Sequence, residues 1–462
     1  MVPTMRNAAI WADVLAQRER VPALWAAFDF DQHPERFTID PQVKSALSPS
    51  LAAQRPQILA NTELVECLRA YSMMGDVTAD RYAALMATLK FRELIDLLTI
   101  ACDHGIEAVE NAPEELVAFI ADMEQRPDWL DMALVEKGAR LERNGTANLS
   151  PYAIRGAFIA TFMNEYAALP MALTGTLSDS AAARRVKETA NFFAVTTLPG
   201  ALSRFGPGFK AAAMVRLMHS MVRFNIMRRP KMWDQAKYGF PIPQVDQMPA
   251  GLINIFLLSY KLIGEGRTAF TPDERAVVEF ARYRCRLLGL PETLLPDTPQ
   301  GIVDIMNVRG ATLRASFDDR ICGSLVRATM AAELWDGATL RQRLFRTIER
   351  SFSRVFFLKH FLNGDRQAAA LMGVTISNVD RAWFTLAALQ IGLTMSVFRL
   401  LSRLPVLRDL ADRRLIARIT RLLSVYGHAE FVTYEHRAQP ASPGRPHEPG
   451  ERKPEPAVAG AH

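Results

Sequence analysis

The chain has 462 residues, 49% of them apolar and 23% charged, which suits a folded protein with a large core and excludes a disordered or fibrous one. Its formal charge of +6 is modest for that length, and without a long basic run or nucleic-acid motif it argues against nucleic-acid binding. The four cysteines, Cys67, Cys102, Cys285 and Cys322, are far apart and fit a reducing compartment; the opening residues lack an apolar leader core, so the expectation is a cytoplasmic protein.

Residues 1–60 read as a helix-poor segment that wraps over the core, because RERVPALWAAFDFDQHPERF sets short apolar pieces among charges. From 61 to 436 the apolar residues recur at helical spacing, which predicts one all-α domain of about fourteen or more helices. NAPEELVAFIADME predicts a helix capped by Asn111, with Glu114 three residues on. SPYAIRGAFIATFMNEYAAL predicts one capped by Ser150 with Pro151 in its first turn. The segment 181–200 is helical up to Pro199 and Gly200, and a glycine-bearing loop leads to a helix over 211–227. GFPIPQVDQMPA (239–250) reads as a proline-rich loop. Thr271, Pro272 and Glu274 open a helix that Gly289 stops, and Thr298 opens the next. Helices follow over 351–364, over 380–404 despite Gly392, and up to Gly427. AEFVTYEHR (429–437) could form one short strand, and the proline- and charge-rich tail 437–462 reads as disordered. No transmembrane span is expected: 251–264 is too short and holds Lys261, and 157–175 is interrupted by Glu165 and Pro170. Peripheral contact with a bilayer stays open, given 19 methionines and 25 phenylalanines.

The chemistry concentrates in VRLMHSMVR (215–223). Arg216, His219 and Arg223 recur by threes and fours on an otherwise apolar helix, and unpaired buried charge is costly. On the helix before it, Arg185, Glu188 and Thr189 share a face. The plain reading is a core histidine satisfied by an acid or a carbonyl, with arginines paired to acids from elsewhere. Against it, Glu188 is the one nearby helical acid, facing three arginines. Flanking guanidinium groups also favour a neutral imidazole, which can ligate metal. A haem would account for the pattern: an axial imidazole for iron, arginines for the propionates, and Phe, Met and Leu for the ring. No Cys-x-x-Cys-His tract occurs, so such a haem would be non-covalent. Zinc fits less well, because no second ligand lies three or four residues from His219; His104, His360 and His428 are distant in sequence.

Three pieces, RRVKETANFFAVTTLPG, VRLMHSMVR and WDQAKYGFPIPQVD, resemble in order and spacing a known family. It is the rubber-oxygenase, latex-clearing-protein and ER-bound oxygenase catalytic-domain family, once called a domain of unknown function. The resemblance covers roughly residues 120–340, with Pro243 where the family commonly has Asn. It implies a mostly helical, globin-like core around a b-type haem, with His219 as proximal iron ligand and Arg216 and Arg223 on the haem side, serving propionates. The distal Arg-x-x-Lys-Thr of latex clearing proteins corresponds to Arg185, Glu188 and Thr189, so a carboxylate replaces the distal lysine, and Lys187 lies about 100° round the helix. Glu165 is a looser candidate for a second carboxylate. The resemblance implies a dioxygen-dependent oxygenase that oxidises or cleaves an alkene in a small apolar substrate, with Glu188, Thr189 and Arg185 as catalytic residues. A non-catalytic haem carrier or sensor, and a haem-free helical scaffold, are the other readings.

Overall fold

The computed structural model describes residues 4–174 and 179–427. Among them the chain forms twenty-one α-helical segments and no strand; two isolated bridges, Phe37 to Leu313 and Ser45 to Arg314, are the extended pairings. The all-α expectation holds. The possible strand after 428 and the tail 437–462 lie outside the described residues.

The helices that build the sites below are α1 (Met5–Arg20), α2 (Val77–Ala84), α3 (Met132–Asn148), α4 (Ser150–Ala160), α5 (Asp179–Val195), α6 (Pro207–Met227), α7 (Gln244–Gly264), α8 (Pro272–Leu287), α9 (Leu340–Phe361), α10 (Asn378–Arg403) and α11 (Pro405–Tyr426). The largest apolar cluster joins the N-terminal residues Val14, Trp25 and Phe28 to Leu217 and Met221 of α6 and Phe280 of α8. The first 60 residues are therefore not helix-poor. Thr4 caps α1, and the spacing of Ile10, Val14 and Gln17 puts them on one buried face.

Local capping chemistry accounts for several helix starts. Thr271 and Glu274 form a reciprocal capping box on α8, and Gly289 takes φ +86° just beyond its end. Thr298 caps the helix Pro299–Thr312. Asn111 does not cap: it turns at φ +51°, and Pro113 precedes the helix Glu114–Glu124. Residues 244–250 are helical rather than loop, with Pro249 inside α7. Pro249 has no N–H for the Val245 carbonyl, and Arg309 Nε supplies that donor at 2.6 Å, which removes the usual objection to a helical proline.

Helices α3 and α8 pack along each other at close range, and Gly138 permits it: a Cβ there would lie 2.1 Å from the Ala276 carbonyl oxygen. Helices α4 and α9 are pinned by a buried ion pair. Arg155 holds Glu349 bidentately, Nε and Nη2 each at 2.9 Å, and its Nη1 donates to the Thr329, Met330 and Ala332 carbonyls.

Candidate functional site

Helix α6 is buried on nearly all sides, so its polar residues need partners inside the protein. Arg216 finds Asp76, with Nε to Oδ2 at 2.6 Å and Nη2 to Oδ1 at 2.8 Å. Its Nη1 lies 2.7 Å from Asp122 Oδ2, and the guanidinium stands over the Phe119 ring. One helical face on, Arg223 donates to Asp80 Oδ1 at 2.7 Å, to Ser220 Oγ and to the Ile242 carbonyl. Asp76 also caps α2, and Asp80 sits one turn inside it. Two buried Arg–Asp pairs thus fasten α2 to α6. Gly289 closes over the first pair, where a Cβ would meet Asp76 Oδ2 at 2.5 Å.

These counter-ions are the acids from elsewhere in the chain that the plain reading of the sequence asked for. Counting Glu188 alone, the sequence left Arg216 and Arg223 to an anionic ligand such as haem propionates. Their carboxylates come from Asp76 and Asp80, 140 and 143 residues earlier in the chain. The spacing Asp76-x-x-x-Asp80 puts both carboxylates on one face of α2, but nothing local in the sequence assigns them to α6. Burial works against the Asp76 carboxylate, but Arg216 outweighs it and holds its pKa below the ordinary value. Burial pushes the Asp80 carboxyl up to about 6, with Arg223 opposing and the charge of Asp76 assisting.

His219 lies between the two arginines. Burial, then the nearby Arg223, pushes its pKa down to about 4, so the ring is neutral at pH 7. Its Nδ1 is buried and has no hydrogen-bond partner. On the neighbouring helix α5, Arg185 Nη1 donates to Glu188 Oε2 at 3.0 Å and lies 3.0 Å from the sulfur of Met218, the residue before His219. The second oxygen of Glu188, Oε1, is buried and has no partner. Burial raises the Glu188 pKa, while Arg185 and Arg184 pull it down. Thr189 follows, half-buried. The structure therefore joins Arg185 and Glu188 directly and ties them to the turn of α6 that carries His219.

The remaining sequence candidates go elsewhere. Both Glu165 oxygens are engaged, by Ser316 and by Lys237 Nζ at 3.1 Å. His104 and His360 are exposed, the latter against the Phe356 ring, and His428 lies outside the described residues. The segment WDQAKYGFPIPQVD shapes the wall behind α6. Trp233 Nε1 donates to the Gly239 carbonyl, Gln244 Nε2 to that of Gly75, and Asp246 accepts from Arg36 at 2.6 Å. The turn so held presents the Ile242 carbonyl to Arg223 and brings Gln247 to the His219 ring.

Among the described residues no group of three or more His, Cys, Asp or Glu could hold a bare metal ion. A zinc-type centre needs such a group; a porphyrin brings four nitrogen ligands and asks one imidazole of the protein. A neutral imidazole with a partnerless buried nitrogen, and a carboxylate oxygen in the same condition on the adjoining helix, fit that requirement. The guanidinium groups of Arg216 and Arg223 are engaged by aspartates.

A helical protein with a lone buried imidazole facing a second helix is the class these features define. The chain belongs to the family described as ER-bound oxygenase mpaB/B'/Rubber oxygenase, catalytic domain, whose model matches residues 147–393. It is an oxygenase family associated with haem. A solved structure, "Structure of Latex Clearing Protein LCP in the closed state", shares its fold with a TM-score of 0.52 and 18% identity, over 77% of this chain and 91% of that one. No curated protein matches the chain. The family's description as ER-bound overturns the expectation of a free cytoplasmic protein. The cysteine usage and the opening residues, on which that expectation rested, do not report attachment to a membrane surface. Among the described residues, α10 is the helix long and apolar enough to cross a membrane, with 17% of its most apolar window buried.

Proposed function

We propose that the protein is a b-type haem-dependent oxygenase acting with dioxygen on an alkene in a small apolar substrate. The observation that carries this reading is the neutral His219 ring with its buried, partnerless nitrogen. His219 would hold the iron. The haem, when bound, supplies the activation of dioxygen. The protein's residues do the rest. Arg216 and Arg223, locked to Asp76 and Asp80, fix the rotation of α6, and burial, followed by the charge of Arg223, keeps the imidazole unprotonated. Arg185 orients Glu188 by its hydrogen bond, leaving Oε1 open to take or hold a proton at the substrate side. Thr189, beside it, would donate a hydrogen bond to a bound polar group.

The pairing of both arginines with aspartates favours a second reading, a haem-free helical scaffold with His219 as a core histidine. An absorption spectrum separates the two. Protein purified with adequate haem supply, or supplemented with haemin, should show a Soret band in the ferric state that shifts on reduction and with carbon monoxide. His219→Ala should lose it while circular dichroism stays helical. A wild-type protein that neither carries nor takes up haem overturns the oxygenase reading. A Soret band without oxygen consumption on alkene substrates would leave a haem carrier or sensor.

A further inference from the structure

A cavity of about 410 Å3 opens between α4, α9, α10 and α11, and none of its lining residues comes from α5 or α6. We propose that it binds an anionic amphiphile, a phosphate or carboxylate head on an apolar chain. The head would sit on the guanidinium groups of Arg341, Arg418 and Arg421, and the chain would run along the outer face of α10.

The lining carries these three arginines and no acid. Elsewhere in the protein, clustered arginines meet carboxylates, as at Glu333, Asp246 and Asp412. Here the guanidinium groups of Arg341 and Arg421 make no hydrogen bond or ion pair among the described residues, although the Arg421 carbonyl accepts from Ser424 Oγ. Arg418 meets the Asn148 side-chain oxygen and the Phe398 ring alone. Like charges gathered round one cavity repel, and an anion bound by charge-assisted hydrogen bonds relieves that repulsion. One wall is aromatic: Phe345 lies against Tyr152 and against Trp335, with ring centroids 5.1 and 4.9 Å apart. The indole N–H of Trp335 is buried and has no acceptor, which a head-group oxygen would supply.

The apolar half follows from α10. Its inner face, Ala387, Ile391 and Phe398, packs on the protein. Its outer face carries Leu386, Leu389, Leu393, Val397 and Leu400 at helical spacing, 47–69% exposed. Gln390 and Thr394 of the same helix line the cavity, so its mouth borders the open stripe. Between Asp380 and Asp409 the charged residues are Arg381, Arg399, Arg403 and Arg408, the last paired with Asp409. A second copy on this face would set cations against cations, whereas an anionic amphiphile matches both the stripe and its charge.

Titration with monomeric dodecyl phosphate, followed by calorimetry and by tryptophan fluorescence against a Trp335→Phe control, tests the site without reference to haem. Dodecyl phosphate should bind, and inorganic phosphate and dodecanol should bind at least about tenfold more weakly, since each lacks one half of the ligand. The double variant Arg341→Gln, Arg421→Gln, exposed on the surface and checked for fold by circular dichroism, should lose at least about tenfold in affinity. Sedimentation with phosphatidic acid and phosphatidylcholine vesicles identifies the source. Monomer binding supports a free amphiphile; selective binding to phosphatidic acid vesicles that the double variant loses supports a lipid head group. Equal binding of dodecanol and dodecyl phosphate, or undiminished binding by the double variant, overturns the proposal.

Discussion

At the scale of single residues, charges inside this protein are settled by who reaches them first. Asp80 and Arg223 are both fully buried, and removing one partner strands the other. Asp80→Ala should cost about 3–5 kcal/mol in urea unfolding, and the double variant with Arg223→Met should recover part of that loss, as uncompensated charge is worse than none. The same logic at the surface gives a pH dependence. The Arg267 hydrogen bonds and the α8 capping box bring the Glu274 pKa down to about 2. A carboxyl depressed on folding contributes stability that is present above its unfolded value near 4.3 and lost as pH falls towards 2. Thermal unfolding between pH 5 and pH 2 should therefore show a steeper loss for wild type than for Glu274→Gln. His219 and its arginines stood out in the sequence because charge on an apolar helix is visible locally. Asp76 and Asp80 did not, because nothing in a linear reading joins positions 140 residues apart.

At the scale of elements, local chemistry was readable where it was complete within a few residues. Thr271 with Glu274, Thr298 and the Gly289 stop are of this kind. Misreadings arose where a distant residue changed the local rule. Pro249 looked like a loop until Arg309 took the orphaned carbonyl, and Asn111 looked like a cap although the chain turns there and enters the helix three residues later. The helix pairs make sharper demands. Gly138→Ala should drive a methyl into the α8 backbone at Ala276 and destabilise the protein by about 1–3 kcal/mol, seen as a lower urea midpoint. Glu349→Ala should cost about 3–5 kcal/mol in the same measurement, because Arg155 would keep its charge with carbonyls alone to meet it.

At the scale of the whole molecule, the family match begins at residue 147, inside the last turns of α3, and ends at 393, within α10. Those limits cut across the physical unit. The N-terminal residues share the largest apolar cluster with α6 and α8, and α11 closes the cavity of the proposed amphiphile site. The two Arg–Asp clasps between α2 and α6 say the same in electrostatic form. A polypeptide trimmed to 147–393 would keep Arg216 and Arg223 while discarding both counter-ions, exposing the helix that carries His219 to two naked cations in a dry interior. Such a fragment should fail to reach a cooperative fold, whereas one spanning 4–427 should melt as a single transition. The smallest autonomous piece of this protein is thus set by where its negative charges are stored, well upstream of the region by which its kinship is recognised.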